Sequence, residues 1–211
     1  MKIRLTALAL ATVLAAGTAA TPANASDTAE RKAGTRSLAT VLAADGTKFD
    51  HNWKDFDILE KAVLTVLHAK PDSPVGVLTQ GKTRLTAFIP TDAAFRRLVK
   101  DLTGTAPRTE KATFTKLASI ADVDTLEAVL LYHVVPGTTI TSREAKQADG
   151  AKLTTAQGGT IKVDVKGKQI LLRDADRNDA DPALIPAGLD INKGNRQIAH
   201  AINRVLRPVD L

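Results

Sequence analysis

Apolar residues follow a helical period in the first half of the chain. One apolar face predicts a helix over residues 57–69, begun by a capping box of Asp57 with Glu60. Thr91 stands where it would cap a second helix, over residues 92–100. The same spacing predicts two more helices: residues 109–118, and a segment that starts at a capping box of Asp124 with Glu127 and ends at Pro136-Gly137.

Short apolar runs and strict alternation predict the strands, most of which lie in the second half. Residues 85–89 form an apolar run typical of a buried strand. Apolar and charged residues alternate over residues 161–165, and Gly167 turns the chain into a partner strand at 168–172. Residues 197–206 predict a final buried strand. Helices followed by strands indicate an α+β domain and not alternating βαβ units.

The N-terminus has the three parts of a cleavable export signal. Lys2 and Arg4 supply positive charge, residues 5–16 are apolar, and Ala23 and Ala25 give a small-residue cleavage site after Ala25. The apolar run is shorter than the roughly 20 residues that a membrane-spanning helix needs. The alternative is a buried N-terminal helix, which the lack of a polar face disfavours.

These features divide the chain into a signal peptide (1–25), a flexible polar leader (26–37) and one folded domain (38–208). The expected location is therefore secreted, extracellular or loosely wall-associated. With no cysteine, neither a lipid-modified cysteine nor a disulfide framework is available. The net charge of +6, or +4 without the signal peptide, is spread among acidic residues, which argues against a nucleic-acid partner.

Residues 76–83 match the phosphate-binding pattern G-x-x-x-x-G-K-T letter for letter. That loop needs a strand before it and a helix after it, so that backbone N–H groups face the phosphates. Here a predicted helix precedes the pattern and a predicted strand follows it. We therefore expect no nucleotide site.

The polar segment 173–183 resembles the first half of a calcium loop. Oxygen-bearing side chains occupy alternate positions between Asp174 and Asp181. However, Asp179 stands where the turn needs glycine, and Ile185 stands where a bidentate glutamate belongs. A solvated turn is the favoured interpretation, with calcium binding as the alternative.

No catalytic or metal site emerges from the remaining residue types. The four histidines, His51, His68, His133 and His200, have no ligand spacing, and no serine lies in G-x-S-x-G. His133 and His200 lie among apolar residues, which favours buried structural histidines. We predict no catalytic residues, no metal and no cofactor.

Three short motifs occur in a fixed order along the chain. Residues 85–95 are LTAFIPTDAAF, residues 130–137 are LLYHVVPG, and residues 198–208 are IAHAINRVLRP. They resemble the opening block, the tyrosine–histidine block and the closing block of the fasciclin domain, and the resemblance extends over roughly residues 38–208. The sequence departs from the family pattern at Asn203, where aspartate is usual.

The resemblance implies a wedge of two β-sheets with helices packed against it. The family's motif positions correspond here to Thr91, Asp92, Tyr132, His133 and His200. In animal members the tyrosine–histidine segment has been tied to adhesion, which makes Tyr132 a candidate partner contact. A motif on the inner side of a helix more often holds the fold, and His133 is expected to do so.

The expected function is a secreted, non-catalytic interaction or cell-adhesion module that binds a cell-surface, wall or matrix component, protein or glycan. The alternative is a carrier of small molecules or lipids in an apolar groove. A large dry pocket would favour the carrier, and an exposed apolar patch would favour adhesion. Converging carboxylates with shifted pKa values in a cleft would favour an enzyme.

Overall fold

The structure, a computed structural model, describes residues 32–44, 46 and 48–209 of the chain. The expected signal peptide and its cleavage site after Ala25 lie outside the described residues and stay predictions. None of the helices in the described ranges is long and apolar enough to cross a membrane.

Helices occupy most of the first half of the described chain. They are α1 (Leu38–Leu42), α2 (Asp57–Ala69), α3 (Asp92–Thr103), α4 (Glu110–Ile120), α5 (Val123–Tyr132) and α6 (Ser142–Gln147), with 3₁₀ turns at Pro74–Thr79 and Pro186–Gly188. The bounds of α2 are those that its apolar period predicts. The short helices α1 and α6 were missed because they offer too few turns to show a period.

Helix α2 begins differently from the prediction. Asp57 is its first residue, and the preceding Phe56 makes no side-chain cap. Instead, Oδ1 of Asp92 accepts a hydrogen bond from the N–H of Ile58 at 3.0 Å. The capping box of Asp57 with Glu60 was therefore wrong, since the capping carboxylate comes from the start of α3.

The capping box predicted for α5 was also wrong. Asp122 is the N-cap, and its Oδ1 accepts a hydrogen bond from the N–H of Thr125 at 2.8 Å. Asp124 and Glu127 instead bind the Lys70 ammonium at the end of α2. These ion pairs connect α5 to the end of α2, because both carboxylates face Lys70.

Within residues 32–209 as described, six strands form two three-stranded sheets: β1 (Leu85–Pro90), β2 (Val134–Pro136), β3 (Lys152–Thr154), β4 (Thr160–Lys166), β5 (Gln169–Arg173) and β6 (Gln197–Ile202). The first sheet has the order β2-β1-β6, with β1 antiparallel to β2 and parallel to β6. The second is an antiparallel meander, β3-β4-β5. The parallel pair places the first and third sequence motifs side by side, with Phe88 opposite His200.

The two faces of the first sheet belong to two apolar cores. Ala87 and Ile89 of β1 face the helices, whereas Phe88 points into the second core. That core lies between the sheets and includes Ile161 and Leu172. This is the α+β fold that the sequence pattern predicts, with helices early and strands late, and its two sheets are those that the family resemblance implies.

Residues 34–37, which the sequence analysis places in the leader, contact the domain. Gly34 pairs with Asn195, whose Oδ1 also accepts the N–H of Arg36 at 3.0 Å. Oγ of Ser37 accepts the N–H of Thr40 and caps α1. Backbone contacts with the domain thus begin four residues before Leu38, through a distant asparagine that local composition does not reveal.

The last strand ends earlier than predicted. β6 stops at Ile202, and Asn203 leaves the sheet, where its Oδ1 accepts the N–H of Ala183 at 2.8 Å. The backbone of Arg207 then bonds to Asp174 and Ala175 after β5, and residues 205–209 also face α3, α4 and α5. This path gives the C-terminal segment a place in the groove described below.

Candidate functional site

His133 is a buried histidine with both ring nitrogens occupied. It caps the C-terminal end of α5 and is 4% exposed. Nε2 accepts a hydrogen bond from the N–H of Leu206 at 2.9 Å, so the ring proton is on Nδ1, which donates to the Val129 carbonyl at 2.7 Å. Burial lowers the pKa of His133 to about 4. The imidazole is therefore neutral and structural, as expected.

Tyr132 lies between the two sheets with only 1% of its surface exposed. Its hydroxyl donates to the Thr160 carbonyl at 3.0 Å. Burial, followed by the negative charge of Asp174, raises its pKa to about 12. The suggestion that Tyr132 touches a partner is not supported, because the packed ring presents no surface.

The other motif positions are also buried. His200 accepts the Asp190 N–H at Nδ1 and donates from Nε2 to the Ile140 carbonyl at 2.8 Å, and burial lowers its pKa. Thr91 precedes α3 as predicted, but its side chain makes no capping hydrogen bond. Asp92 is fully buried and caps α2. The motif residues are therefore buried and bonded within the fold.

An apolar groove of about 560 Å³ lies between α3, α4, α5 and residues 205–209. Its floor includes Phe95, Leu98 and Leu126. Its remaining lining residues include the following large apolar side chains: Leu59, Leu102, Leu117, Ile120, Val129, Leu130, Val205, Leu206 and Val209. The hydrophobic pattern of the chain does not show which of these residues meet in a groove, because they come from separate elements.

Three exposed side chains form the rim of this groove. Leu102 is 43% exposed, Ile120 is 42% exposed and Val209 is 56% exposed. They come from the last turn of α3, the end of α4 and the C-terminal segment. The fourth large exposed hydrophobic residue in the described ranges, Leu64, lies on α2 outside the groove. Exposed apolar area is thus concentrated where three elements end.

The groove offers little charge to a ligand. Among its lining residues in the described ranges, Arg207 is the one that stays charged at neutral pH. Its guanidinium donates to Asp176 at 2.8 Å and to Asp101 at 2.9 Å. These carboxylates already satisfy the arginine, so apolar contact dominates the groove.

The acidic segment 173–183 is held by arginines. Besides the bond to Asp176, Arg207 lies 3.1 Å from Asp179, which also binds Arg204 at 2.9 Å. Asp176 itself is buried. A solvated turn was therefore the wrong interpretation for Asp176, because this carboxylate is buried and bonded to Arg207.

The phosphate-loop pattern has the order that the sequence analysis expected. Gly76 lies in the 3₁₀ turn, and the pattern leads into β1 instead of following a strand. A Cβ at Gly81 would lie 1.8 Å from the Thr35 carbonyl oxygen. The absence of a side chain at Gly81 therefore lets the backbone of the segment before α1 pack directly against it.

Three carboxylates converge under the loop before α2. Asp55, Asp92 and Glu110 are buried, and one ligand atom from each lies within 4.8 Å of the others. Burial, together with neighbouring negative charge, raises the pKa of Asp55 and of Asp92. Converging carboxylates with shifted pKa values would favour an enzyme if they stood in a cleft, but Asp55 and Asp92 are buried in the fold. Sequence reasoning missed this cluster, since its members are far apart in the chain. Each carboxylate stands at or just before a helix N-terminus. This position is the one feature of the local sequence that could have pointed to the cluster.

The histidines outside the core join no metal group in the described ranges. His68 is exposed in the last turn of α2. His51, with a φ of 75°, donates its N–H to Oε2 of Glu110 at 3.0 Å. The clusters of potential metal ligands in the described residues consist of aspartate and glutamate side chains.

Comparison with known proteins agrees with this architecture. The profile of the fasciclin domain matches residues 65–208, more than half of the chain, and the chain belongs to the fasciclin domain family. No curated protein matches the sequence. A FAS1 domain pair from the insect cell adhesion molecule fasciclin I has a similar structure, with a TM-score of 0.53 at 15% identity. The match covers 82% of this chain and 51% of that one, and at this identity it shows the fold alone.

Proposed function

We propose that the chain is a secreted, non-catalytic interaction module of the cell-adhesion kind, released after cleavage behind Ala25. Membership of the fasciclin family supports an extracellular, adhesion-like role. The signal-like N-terminus supports export. The partner is a component of the cell surface, wall or matrix.

The observation that carries this proposal is the exposed rim of the apolar groove. Leu102, Ile120 and Val209 stand in water around a groove of about 560 Å³. A soluble domain gains stability by burying such residues, and contiguous exposed apolar surface marks interaction sites. The groove is therefore the contact surface of the module.

The groove favours a protein partner that offers apolar side chains. Arg207 is already bonded to two carboxylates, so an acidic head group finds no free cation among the described lining residues. The described lining also lacks an exposed aromatic ring on which a sugar would stack. An apolar segment of a surface protein fits this chemistry better than a glycan.

A second candidate function is a carrier of a small apolar molecule. The groove volume falls within the range of about 300–1,000 Å³ that is usual for small-ligand sites. The carrier hypothesis predicts that the purified chain releases a stoichiometric apolar compound into organic solvent. The module hypothesis predicts an empty extract and binding to envelope proteins.

The test is a pull-down of the purified chain against cell-envelope fractions, with matched variants. We expect saturable binding by the wild type, with at least tenfold weaker binding by the double variant Leu102→Ser with Ile120→Ser. Leu64→Ser removes an equally exposed leucine outside the groove and should bind like the wild type. Binding that is lost equally in both variants, or that survives in both, would contradict the groove as contact surface.

A further inference from the structure

Three helix N-termini point at one buried acidic cluster. Asp92 is the first residue of α3, Glu110 is the first residue of α4, and Asp55 stands two residues before α2. The positive end of each helix dipole favours a nearby carboxylate. Such partial charges lower the cost of one buried carboxylate, but three still repel one another.

Backbone hydrogen bonds occupy only some of the carboxylate oxygens in the cluster. Oδ1 of Asp92 accepts the Ile58 N–H, and Oε2 of Glu110 accepts the His51 N–H. The Asp55 and Asp92 carboxyl groups share a hydrogen bond with each other, and no other donor in the described chain reaches Oδ1 of Asp55, Oδ2 of Asp92 or Oε1 of Glu110. Buried polar atoms normally have partners, so these oxygens need an explanation. Glu110 and Asp92 are each at least 99% buried.

The geometry points to a divalent-cation site of the calcium class, held by Asp55, Asp92 and Glu110. Their ligand atoms lie within 4.8 Å of one another. A calcium ion about 2.4 Å from each oxygen joins oxygens up to about 4.8 Å apart. Three carboxylates match its preference for hard, charged oxygen ligands.

Of the three carboxylates, Glu110 lies beside a surface pocket, although it is itself only 1% exposed. An open pocket of about 570 Å³ is lined by Glu110, His51 and Phe49, together with three lysines, Lys48, Lys61 and Lys111. These lysines weaken cation affinity, which places the site among weak extracellular calcium sites with a Kd of about 10⁻⁴–10⁻³ M. The bound cation would join the starts of α2, α3 and α4 to the preceding loop.

The test uses the purified full chain, freed of metal with a chelator, and its melting temperature with and without CaCl₂. At about 10 mM CaCl₂ we expect a rise of about 3–10 °C. Glu110→Gln should lose this rise, and Asp181→Asn, in the other acidic segment, should keep it. No rise in the wild type, or a rise that Asp181→Asn removes and Glu110→Gln retains, would overturn the site.

A second measurement does not depend on the folding of a variant. Trp53 is the chain's one tryptophan, and its carbonyl accepts the Ala93 N–H at 2.9 Å, next to Asp92. Tb³⁺ bound in the cluster would therefore emit when the tryptophan is excited. We expect CaCl₂ to quench this emission by displacement. Absence of tryptophan-sensitised emission from the folded wild type would contradict the proposal.

Discussion

Nε2 of His133 accepts a hydrogen bond from the backbone N–H of Leu206 at 2.9 Å. This bond joins the end of α5 to the segment that follows β6, and so links the second sequence motif to the third. Nδ1 of the same ring donates to the Val129 carbonyl. One neutral imidazole thus fixes the C-terminal segment against the helix that lines the groove.

Replacement of His133 should destabilise the domain strongly. His133→Ala removes the partner of a buried Leu206 N–H and leaves a cavity, so we expect the free energy of unfolding to fall by about 3 kcal/mol. Urea denaturation followed by circular dichroism measures this change. His68→Ala, at an exposed histidine, should change it by less than about 0.5 kcal/mol. Equal losses in the two variants would show that the hydrogen bonds of His133 carry no stability.

In the folded chain, His133 should take up a proton only at a pH well below that of an exposed histidine. Its folded pKa is about 4, below the ordinary value near 6.5, because burial opposes the charged form. As the pH falls, the unfolded chain takes up this proton first. The contribution of His133 is therefore complete above about pH 6.5 and is lost as the pH falls through about 4. Its ring resonances in NMR should stay constant down to about pH 5, and a midpoint near 6.5 would refute the buried tautomer.

Tyr132 should prove to be a stability residue and not a contact residue. Tyr132→Phe removes the hydroxyl that donates to the Thr160 carbonyl, which should cost about 1 kcal/mol and leave envelope binding unchanged. Thr160→Ala keeps that carbonyl and serves as the control. The chain has one tyrosine, so absorbance reports its ionisation alone. Phenolate should form near pH 12 in the folded chain. Loss of binding by a stable Tyr132→Phe variant would restore the contact hypothesis.

The two glycines of the phosphate-loop pattern should respond differently to alanine. A Cβ at Gly81 would overlap the Thr35 carbonyl oxygen, whereas a Cβ at Gly76 would lie 3.8 Å from the Leu67 side chain. We expect Gly81→Ala to cost about 3 kcal/mol and to release the segment before α1, with Gly76→Ala close to neutral. Urea denaturation gives both values. A nucleotide site would instead make the pattern respond to added ATP, and we expect no thermal shift.

The hydrophobic period was sufficient to predict the fold class. α2 has its predicted bounds, and β1 extends one residue beyond its prediction, because each buries a regular apolar pattern. The same period does not show where capping groups come from. The α2 cap is Asp92, 34 residues along the chain, and only the packing of α3 on α2 brings it there.

The groove and the acidic cluster were beyond prediction from sequence. Leu102 and Ile120 look like ordinary ends of amphipathic helices, and they become a rim only because α3 and α4 end beside residues 205–209. Glu110 and Asp92 look like ordinary first-turn carboxylates. Their convergence is a property of helix packing, which no local pattern encodes.

The central claim is that the groove is the contact surface of an extracellular interaction module. Hydrogen exchange of the chain, alone and saturated with the envelope fraction it binds, tests this most directly. We predict slower exchange in residues 98–102, 117–121 and 205–209, and unchanged exchange in the β4–β5 hairpin. Protection confined to the hairpin, with the three groove segments unchanged, would contradict the account.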